Sequence, residues 1–282
     1  MKHKIKMIGL DLDGTLFTTE KKLTAYTKAV LEKALAQGII VLVSTGRPIS
    51  GIPREVLEIP GMRYAVTTNG ARVLDIEKNE VLYESMLSIE TTEQLMDIIS
   101  DYDAILEMFI DGKSYVRNAK LDHAIDYLPS QSMVEYLLST RIRVDDLKAT
   151  LHEKNSLVDK VHGMFKNAED ARAAYERLSK VPGIVIASSF GNNWEINKEG
   201  TDKGKGLLRL GETLGIQREE IMACGDGMND FEMLKAVGFG VAMGNGHPRV
   251  KEIADYITDS NDEDGVAKAI EKFALRKEKI IC

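Results

Sequence analysis

Two carboxylates lie two residues apart near the start of the chain, in the string Asp11-Leu12-Asp13-Gly14-Thr15. The string follows a mostly apolar run, and Gly14 allows the backbone to turn so that both acids approach one point. A nucleophile and a proton carrier held close together can split one difficult displacement into two steps. An isolated Asp-x-Asp more often marks a solvated turn, but the full string behind a buried strand is far more specific.

A second acidic string, Gly225-Asp226-Gly227-Met228-Asn229-Asp230, follows another apolar run. If its acids faced Asp11 and Asp13, the crowded negative charge would be costly unless a cation lay among them. Oxygen ligands without histidine or cysteine indicate Mg²⁺. The alternative interpretation is a polar turn before a helix, which the length and position of the string make less favourable.

Two further strings could hold an anion. The first, Ser44-Thr45-Gly46-Arg47-Pro48, offers a hydroxyl and a free backbone N–H, which a phosphate oxygen needs. Both Ser44 and Thr45 are candidates for the hydroxyl. The second, Thr201-Asp202-Lys203-Gly204-Lys205-Gly206, opens a helix, where a lysine adds its charge to the amide dipoles. Lys203 is preferred to Lys205 because it lies closer to the helix start. Taken alone, each string is more often an ordinary capped turn or a solvated lysine pair.

These strings must be positioned by strands and helices, and the hydrophobic pattern predicts both. Short apolar runs alternate with helical patterns, which predicts an α/β fold with a Rossmann-like parallel sheet. Strands are expected over residues 5–10, 39–43, 64–67, 221–224 and 239–243. One helix is expected between Thr24 and Gly38, and a later helix is expected to stop at Gly215. The carboxyl ends of parallel strands form a ligand crevice, and Asn69-Gly70 ends the third strand there.

The pattern changes in the middle of the chain. Residues 72–87 predict a hairpin, and the chain from there to about residue 193 reads as helix, strands, helix, strands. Asp111-Gly112 is a turn pair between two of these strands. A helix around residues 95–102 and another around 171–178 share this block. We expect a core of residues 1–84 and 196–282, with an inserted α+β domain over residues 85–195.

The four strings, in this order, resemble those of the haloacid dehalogenase superfamily. The chain is similar to the Cof-type sugar phosphatases of that superfamily, most closely the YidA-like members, over essentially its whole length. The resemblance implies a Rossmann-like core with an inserted α+β cap of the C2 type. It also implies that the cap selects the leaving group and restricts bulk water.

The resemblance also implies roles for individual residues. Asp11 would be the nucleophile that forms an aspartyl-phosphate, and Asp13 the general acid and then the general base. Because dehalogenase members lack the second acid in this role, Asp13 favours phosphate chemistry over carbon–halogen cleavage. The implied phosphate contacts are Leu12, Thr45, Gly46, Lys203 and Asn229. The implied Mg²⁺ ligands are Asp11, the backbone carbonyl of Asp13, and Asp226, with Asp230, Arg47 and Asn69 in supporting positions.

Composition limits the partners. Acidic residues outnumber basic ones, 44 to 37, and no basic block occurs, which disfavours nucleic acid and anionic membranes as partners. No apolar run is long enough to cross a bilayer, and the start of the chain does not resemble an export signal. The two cysteines, Cys224 and Cys282, form no disulfide framework, so we expect a reducing cytoplasm. The five histidines show no metal-binding spacing and are expected at the surface rather than against a substrate.

The expected function is that of a Mg²⁺-dependent phosphatase acting on small phosphorylated metabolites, above all sugar phosphates. One alternative is a phosphomutase, which returns the phosphoryl group to a sugar instead of to water. Another is a regulator that binds a phosphometabolite without turnover. The strings do not separate hydrolysis from phosphoryl return, but the presence of both Asp11 and Asp13 counts against the regulator.

Overall fold

Two β-sheets organise the computed structural model, which describes residues 4–275. The strands are β1 (Met7–Leu10), β2 (Ile40–Ser44), β3 (Tyr64–Thr67), β4 (Arg72–Asp75), β5 (Glu80–Glu84), β6 (Ala104–Ile110), β7 (Lys113–Arg117), β8 (Ile142–Val144), β9 (Lys160–Phe165), β10 (Ile184–Ala187), β11 (Asn193–Lys198), β12 (Ile221–Gly225), β13 (Phe239–Ala242) and β14 (Tyr256–Ile257). The helices are α1 (Ala25–Ala36), α2 (Arg54–Leu57), α3 (Ile89–Ser100), α4 (Gln131–Thr140), α5 (Leu147–Lys154), α6 (Ala168–Leu178), α7 (Lys203–Leu214), α8 (Phe231–Ala236), α9 (Pro248–Ile253) and α10 (Gly265–Phe273).

The first sheet has the strand order β14-β13-β12-β1-β2-β3-β4-β5. Its strands are parallel from β14 to β3, and β4 and β5 complete it as an antiparallel hairpin. The α/β fold with a parallel-sheet core is therefore confirmed. This order brings the carboxyl ends of β1, β2, β3 and β12 to one edge, where the polar strings begin.

Both faces of the parallel part of this sheet, from β13 to β3, are buried, which explains why these strands are almost entirely apolar. Successive side chains point to opposite faces, so Ile8 packs with Leu31 of α1 and Ile270 of α10. Met7 points to the other face and packs in the cluster that contains Leu207 of α7. The result is a three-layer core in which helices on both sides fix the position of β1.

Residues at the helix ends behave as the sequence predicts. The side chain of Thr24 accepts a hydrogen bond from the Thr27 backbone N–H, and α7 is capped after Leu214 by Gly215, which has a left-handed φ of 68°. The first two strands begin later than predicted: β1 begins at Met7 instead of residue 5, and β2 begins at Ile40 instead of residue 39. The predicted helix around residues 95–102 ends at Ser100, so its expected last apolar residue, Tyr102, lies beyond it.

The second sheet has the order β10-β11-β9-β6-β7-β8 and is antiparallel except between β7 and β8. Helices α3 and α6 cover one of its faces through a cluster that includes Leu95, Ala174 and Val161. Strand β11 ends at Lys198, so this sheet extends past the boundary expected at residue 195. The sequence did not predict β9 and β11 as separate strands, because charged residues interrupt their apolar pattern.

A charged network is buried in the second sheet. The Glu107 carboxylate, which is 0% exposed, accepts from Arg141 Nε at 2.5 Å and from His162 Nδ1 at 2.8 Å. Asn193 Nδ2 donates to His162 Nε2 at 3.0 Å, which places the imidazole proton on Nδ1. Burial acts to raise the pKa of Glu107, but Arg141 and His162 outweigh it and lower the pKa to about 2. Glu107 is therefore held as a carboxylate.

We expect Gly204→Ala to destabilise the protein by about 1–3 kcal/mol, because a Cβ here would overpack α7 against α8. That atom would lie 2.8 Å from both Ala236 Cβ and the Glu232 carbonyl oxygen. Helix propensity alone gives the opposite sign, since alanine is the better helix former. Urea unfolding measures the difference. Lys205→Ala, at an exposed position on the same helix, is the control, and equal free energies of unfolding for the two variants would exclude the close contact.

We expect Glu107→Gln to destabilise the protein by about 3–5 kcal/mol at pH 7, because Arg141 loses its buried counter-charge. The stability that Glu107 contributes is present above its ordinary pKa of 4.5 and is lost as pH falls towards about 2. The difference in the free energy of unfolding between wild type and variant should therefore narrow by roughly 1 kcal/mol as pH falls from 7 to about 3.5. Urea unfolding at several pH values tests this, with Glu135→Gln at an exposed position as the control. A gap that stays constant with pH contradicts the assignment.

Candidate active site

A buried lysine joins two of the strand ends. Lys203, the first residue of α7, is 0% exposed, and its Nζ donates to Asp11 Oδ1 and to Asp230 Oδ1, each at 2.6 Å. Asp11 follows β1 directly and Asp230 closes the turn after β12. Lys205 instead has an exposed side chain that pairs with Asp202 at 3.3 Å. The fold thus brings Lys203, and not Lys205, to the strand ends.

Three carboxylates crowd around this lysine. One oxygen each from Asp11, Asp226 and Asp230 lie within 4.8 Å of one another. Asp230 Oδ2 accepts from the backbone N–H groups of Asp226 and Gly227, each at 3.0 Å. Burial and the charge of Asp230 raise the pKa of Asp226 to about 7 and raise the pKa of Asp11 well above its ordinary value. Three negative charges against one ammonium are therefore poorly compensated.

The residues of this cluster fit a divalent cation. All of its possible ligand atoms are carboxylate oxygens, which Mg²⁺ and similar hard ions prefer. Asp230 is already occupied by Lys203 and two backbone N–H groups, so Asp11 and Asp226 have the freer oxygens. Gly14, with a φ of 82°, allows this approach, because a Cβ there would lie 2.5 Å from Asp226 Oδ2. The surplus negative charge matches the charge of such an ion.

Asp13 turns away from this cluster. Arg47 holds its carboxylate with two hydrogen bonds of 2.7 and 2.6 Å, and Lys21 Nζ donates to it at 2.7 Å. Burial acts to raise the pKa of Asp13, but Arg47 and Lys21 outweigh it and lower the pKa to about 2. The Asp13 carboxylate is accordingly not part of the cluster that could hold a cation. Arg47 also donates to the Gly51 carbonyl at 3.0 Å, so in this structure it braces the site.

A cavity opens at these strand ends. Thr45 and Gly46, which follow β2, line this cavity, whereas Ser44, the last residue of β2, does not. The Ser44 hydroxyl is buried, with no hydrogen-bond partner within residues 4–275. Thr45 Oγ1 accepts from the Arg47 backbone N–H at 3.2 Å. The Leu12 side chain is packed in the core, so only its backbone can contact a phosphate. Thr45 is therefore the better placed of the two hydroxyls.

Asn69 is placed differently from Asn229. Asn69 has a φ of 60°, and its Nδ2 donates to Glu195 Oε2 of β11 at 2.6 Å. It therefore contacts the second sheet and does not line the cavity, whereas Asn229 does. Glu195 also accepts from Lys160 Nζ at 2.7 Å, and the same ammonium donates to the Gly46 carbonyl at 2.7 Å. These contacts tie the second sheet to the phosphate-binding candidates.

A cavity of about 890 Å³ lies between the strand ends of the first sheet and one face of the second. The first sheet contributes Asp11, Asp13, Thr45, Asp226 and Asn229. The second sheet and its helices contribute Phe109, Tyr136, Arg141, Lys160, His162, Phe190 and Glu195. Acids and a hydroxyl at one end thus face aromatic and paired charged groups at the other, and Lys203 lies behind Asp11 without lining the cavity.

Sequence reasoning missed the residues from the second sheet. The expectation that the histidines lie at the surface was wrong for His162, which is 6% exposed and lines the cavity. Residues 160, 162 and 164 point to the cavity, whereas Val161 and Phe165 pack against the helices. This period of two is the signal that could have identified β9 and its cavity-facing side chains.

Some sequence expectations concern residues away from the cavity. Cys224 is buried, and burial raises the pKa of its thiol to about 12, so the thiol stays protonated. Cys282 and His3 lie outside the described residues. Within residues 4–275, every helix is too short or too polar to span a membrane.

Comparisons with known proteins agree with this geometry. Residues 8–270 match the family model of the haloacid dehalogenase-like hydrolases. The chain is 33% identical to the 5-amino-6-(5-phospho-D-ribitylamino)uracil phosphatase YitU of Bacillus subtilis, over 97% of this chain and 99% of that protein. A haloacid dehalogenase-like hydrolase from B. subtilis superposes with a TM-score of 0.84 at 28% identity, covering 96% of this chain and 100% of the other.

A third comparison concerns a sugar phosphatase of HAD subclass IIB, which superposes with a TM-score of 0.79 at 26% identity. It covers 95% of this chain and 98% of its own. Members of the family use a metal ion, and the acidic cluster at the strand ends fits one. The Cof-type resemblance inferred from the four strings is confirmed, and the chain belongs to the haloacid dehalogenase-like hydrolases as a phosphatase.

Proposed function

We propose that this phosphatase hydrolyses small phosphorylated metabolites, sugar phosphates among them, through an aspartyl-phosphate on Asp11 and with Mg²⁺ as its cofactor. One observation carries the proposal. The Asp11 carboxylate lies at the end of a large cavity, 2.6 Å from a fully buried ammonium and beside a second pair of acids. This arrangement supplies a nucleophile together with the positive charge that a phosphoryl group needs.

The reaction has two displacements. In the first, a carboxylate oxygen of Asp11 attacks phosphorus while the bond to the leaving oxygen breaks, and protonated Asp13 gives its proton to that oxygen. In the second, water attacks the aspartyl-phosphate, Asp13 takes a proton from the water, and phosphate leaves with Asp11 regenerated. Arg47 and Lys21 hold Asp13 in the carboxylate form, which the second displacement requires, so in the first displacement Asp13 has to leave these partners and take up a proton.

Mg²⁺ would be held by Asp11, Asp226 and the backbone carbonyl of Asp13, in line with the oxygen-only donor set. When bound, it supplies positive charge to the phosphoryl oxygens and relieves the repulsion among the acids. Lys203 contributes to the same end and fixes the Asp11 carboxylate. Thr45, Gly46, Asn229 and the Leu12 backbone would bind the phosphoryl oxygens, with Asp230, Arg47 and Asn69 supporting them.

The second sheet would act as a cap. We divide the chain into a core of residues 1–84 and 196–282 and a cap of residues 85–195, with β11 extending to Lys198. The aromatic and charged cap residues face the reacting acids across the cavity, which supports a role in selecting the leaving group. Acidic residues outnumber basic ones, 44 to 37, which supports a small metabolite rather than a nucleic acid or an anionic membrane as the partner.

We expect the purified protein to release inorganic phosphate from para-nitrophenyl phosphate only with Mg²⁺ present, and Asp11→Asn to abolish this release. The reason is that an amide cannot form the acyl phosphate, while the fold remains intact. Phosphate release, circular dichroism and EDTA treatment are the measurements. Full activity in Asp11→Asn would exclude this nucleophile. Glucose 6-phosphate formed from glucose 1-phosphate, without free phosphate, would identify a phosphomutase, and binding without either product a regulator.

We expect Lys203→Met to lower kcat by about 10²–10³-fold, a loss typical of removing one group that stabilises the transition state. Lys205→Met is the matched control, since its exposed side chain lies two residues away on the same helix and should leave kcat within about twofold. Both variants are compared by steady-state kinetics and thermal unfolding. If Lys205→Met loses activity and Lys203→Met keeps it, the assignment is reversed.

A further inference from the structure

The turn after β2 contains one backbone N–H that is free to meet a ligand. The Gly46 N–H donates to no acceptor within residues 4–275, and Gly46 lines the cavity. The N–H groups on either side of it are engaged. Thr45 N–H donates to the Val66 carbonyl at 2.9 Å, and Arg47 N–H donates to Thr45 Oγ1 at 3.2 Å. The Gly46 N–H is therefore the donor that this turn offers to a phosphoryl oxygen.

The direction of the Gly46 N–H follows from the strand order. In a trans peptide unit the carbonyl and the N–H point in opposite directions. The Thr45 carbonyl shares a peptide unit with the Gly46 N–H, and it accepts from the Asn69 backbone N–H at 3.0 Å, on the β3 side. The Gly46 N–H therefore points away from β3 and towards β1, which lies on the other side of β2 and is followed directly by Asp11.

Position 46 is tightly enclosed, yet glycine does not fix its own backbone. A Cβ there would lie 2.9 Å from Asn69 Oδ1 and 3.0 Å from Glu195 Oε2. Without a Cβ, rotation of the Gly46 backbone is limited mainly by the partners of its peptide groups. The Gly46 carbonyl has such a partner in the second sheet, because Lys160 Nζ of β9 donates to it at 2.7 Å. This bond fixes the peptide unit after Gly46, as the Asn69 N–H fixes the one before it.

The Lys160 ammonium is engaged within the protein on three sides. The Lys160 side chain is 3% exposed, and its Nζ donates to Glu195 Oε2 at 2.7 Å as well as to the Gly46 carbonyl. The centroid of the Phe109 ring lies 4.5 Å from the same nitrogen, which is a cation–π contact. Asn69 Nδ2 donates to the same Glu195 oxygen at 2.6 Å. One carboxylate thus joins the two residues that hold the turn.

We propose that Lys160 is a positioning residue for the phosphoryl group. It fixes the Gly46 carbonyl, and through the Gly46 backbone it keeps the Gly46 N–H on the side of Asp11. This inference rests on the proposed phosphatase function, in which Gly46 binds a phosphoryl oxygen. Lys160 acts through the turn and not on the substrate, so its loss should weaken binding of the phosphoryl group by the same factor for every leaving group.

The double variant Lys160→Met/Glu195→Gln tests this role. Lys160→Met alone leaves the Glu195 carboxylate buried without a counter-charge, which is strongly destabilising. The double variant removes both charges, and the glutamine carbonyl still accepts from Asn69 Nδ2. Circular dichroism and thermal unfolding check that it folds. Lys166→Met is the matched control, because Lys166 directly follows β9, has an exposed side chain and pairs with Asp126 at 3.1 Å outside the cavity.

Inorganic phosphate is the probe, because it has phosphoryl oxygens and no leaving group. With Mg²⁺ present, we expect calorimetry to show phosphate binding about tenfold weaker or more in the double variant, a loss typical of one hydrogen bond to a charged group. The kcat/KM of every ester that the wild type hydrolyses should fall by a similar factor, mainly through KM. Lys166→Met should change neither quantity. Phosphate binding within twofold of wild type, or a loss confined to one ester, overturns the proposal.

The wild-type protein gives a second test that does not depend on the folding of any variant. With glycine labelled by ¹⁵N, we expect phosphate to change the chemical shift of the Gly46 amide. The Gly38 amide, which donates to the Leu35 carbonyl at the end of α1, is the control and should not change. A Gly46 amide that does not respond to saturating phosphate overturns the proposal.

The two proposals fail in different ways. If the wild type hydrolyses no ester in a reaction that Asp11→Asn abolishes, the phosphatase mechanism itself is wrong. If that Asp11-dependent hydrolysis is observed and the double variant binds phosphate as the wild type does, the mechanism stands and only the role assigned to Lys160 is wrong.

Discussion

The ammonium of Lys203, fully buried between Asp11 and Asp230, is the interaction on which the rest of the site depends. A buried charge is stable only when it is paired and hydrogen-bonded, and here the pairing spans three separate parts of the chain. It fixes the start of α7 against the ends of β1 and β12. It also leaves the acids with more negative charge than one ammonium can balance, which is why this end of the cavity fits a cation.

The second sheet follows a different electrostatic rule. Its buried ions are matched one to one, with Arg141 on Glu107 and Lys160 on Glu195, so the cap end of the cavity carries little net charge from them. Lys160 also reaches the Gly46 carbonyl at 2.7 Å, and Asn197 donates to the Thr68 carbonyl at 3.0 Å. The same buried polar groups thus complete the cap and hold it over the loops that end β2 and β3. The acids at the strand ends are left with surplus charge, whereas the buried ions of the second sheet are paired.

Much of the core could be predicted from the sequence because its physical causes are local. Strands buried on both faces need continuous apolar runs, and the residues that follow them need polar or glycine-rich turns, as in Gly14 with its φ of 82°. Strand β9 could not be recognised in this way. It is buried throughout, yet it contains Lys160 and His162, whose burial is tolerated only because Glu195 and Glu107 lie on neighbouring strands. The expectation that His162 lies at the surface was wrong for this reason.

The sequence by itself determined the fold class, the order of the polar strings and the acids that the turns after β1 and β12 present. Each of these depends on residues close together in the chain. Only the tertiary structure showed that Lys203 rather than Lys205 meets Asp11, and that Thr45 rather than Ser44 lines the cavity. It alone also showed which cap residues face the acids. These choices depend on which side chains meet across the strand ends, and that is set by the packing of α7 and by the cap above the sheet, not by neighbours in sequence.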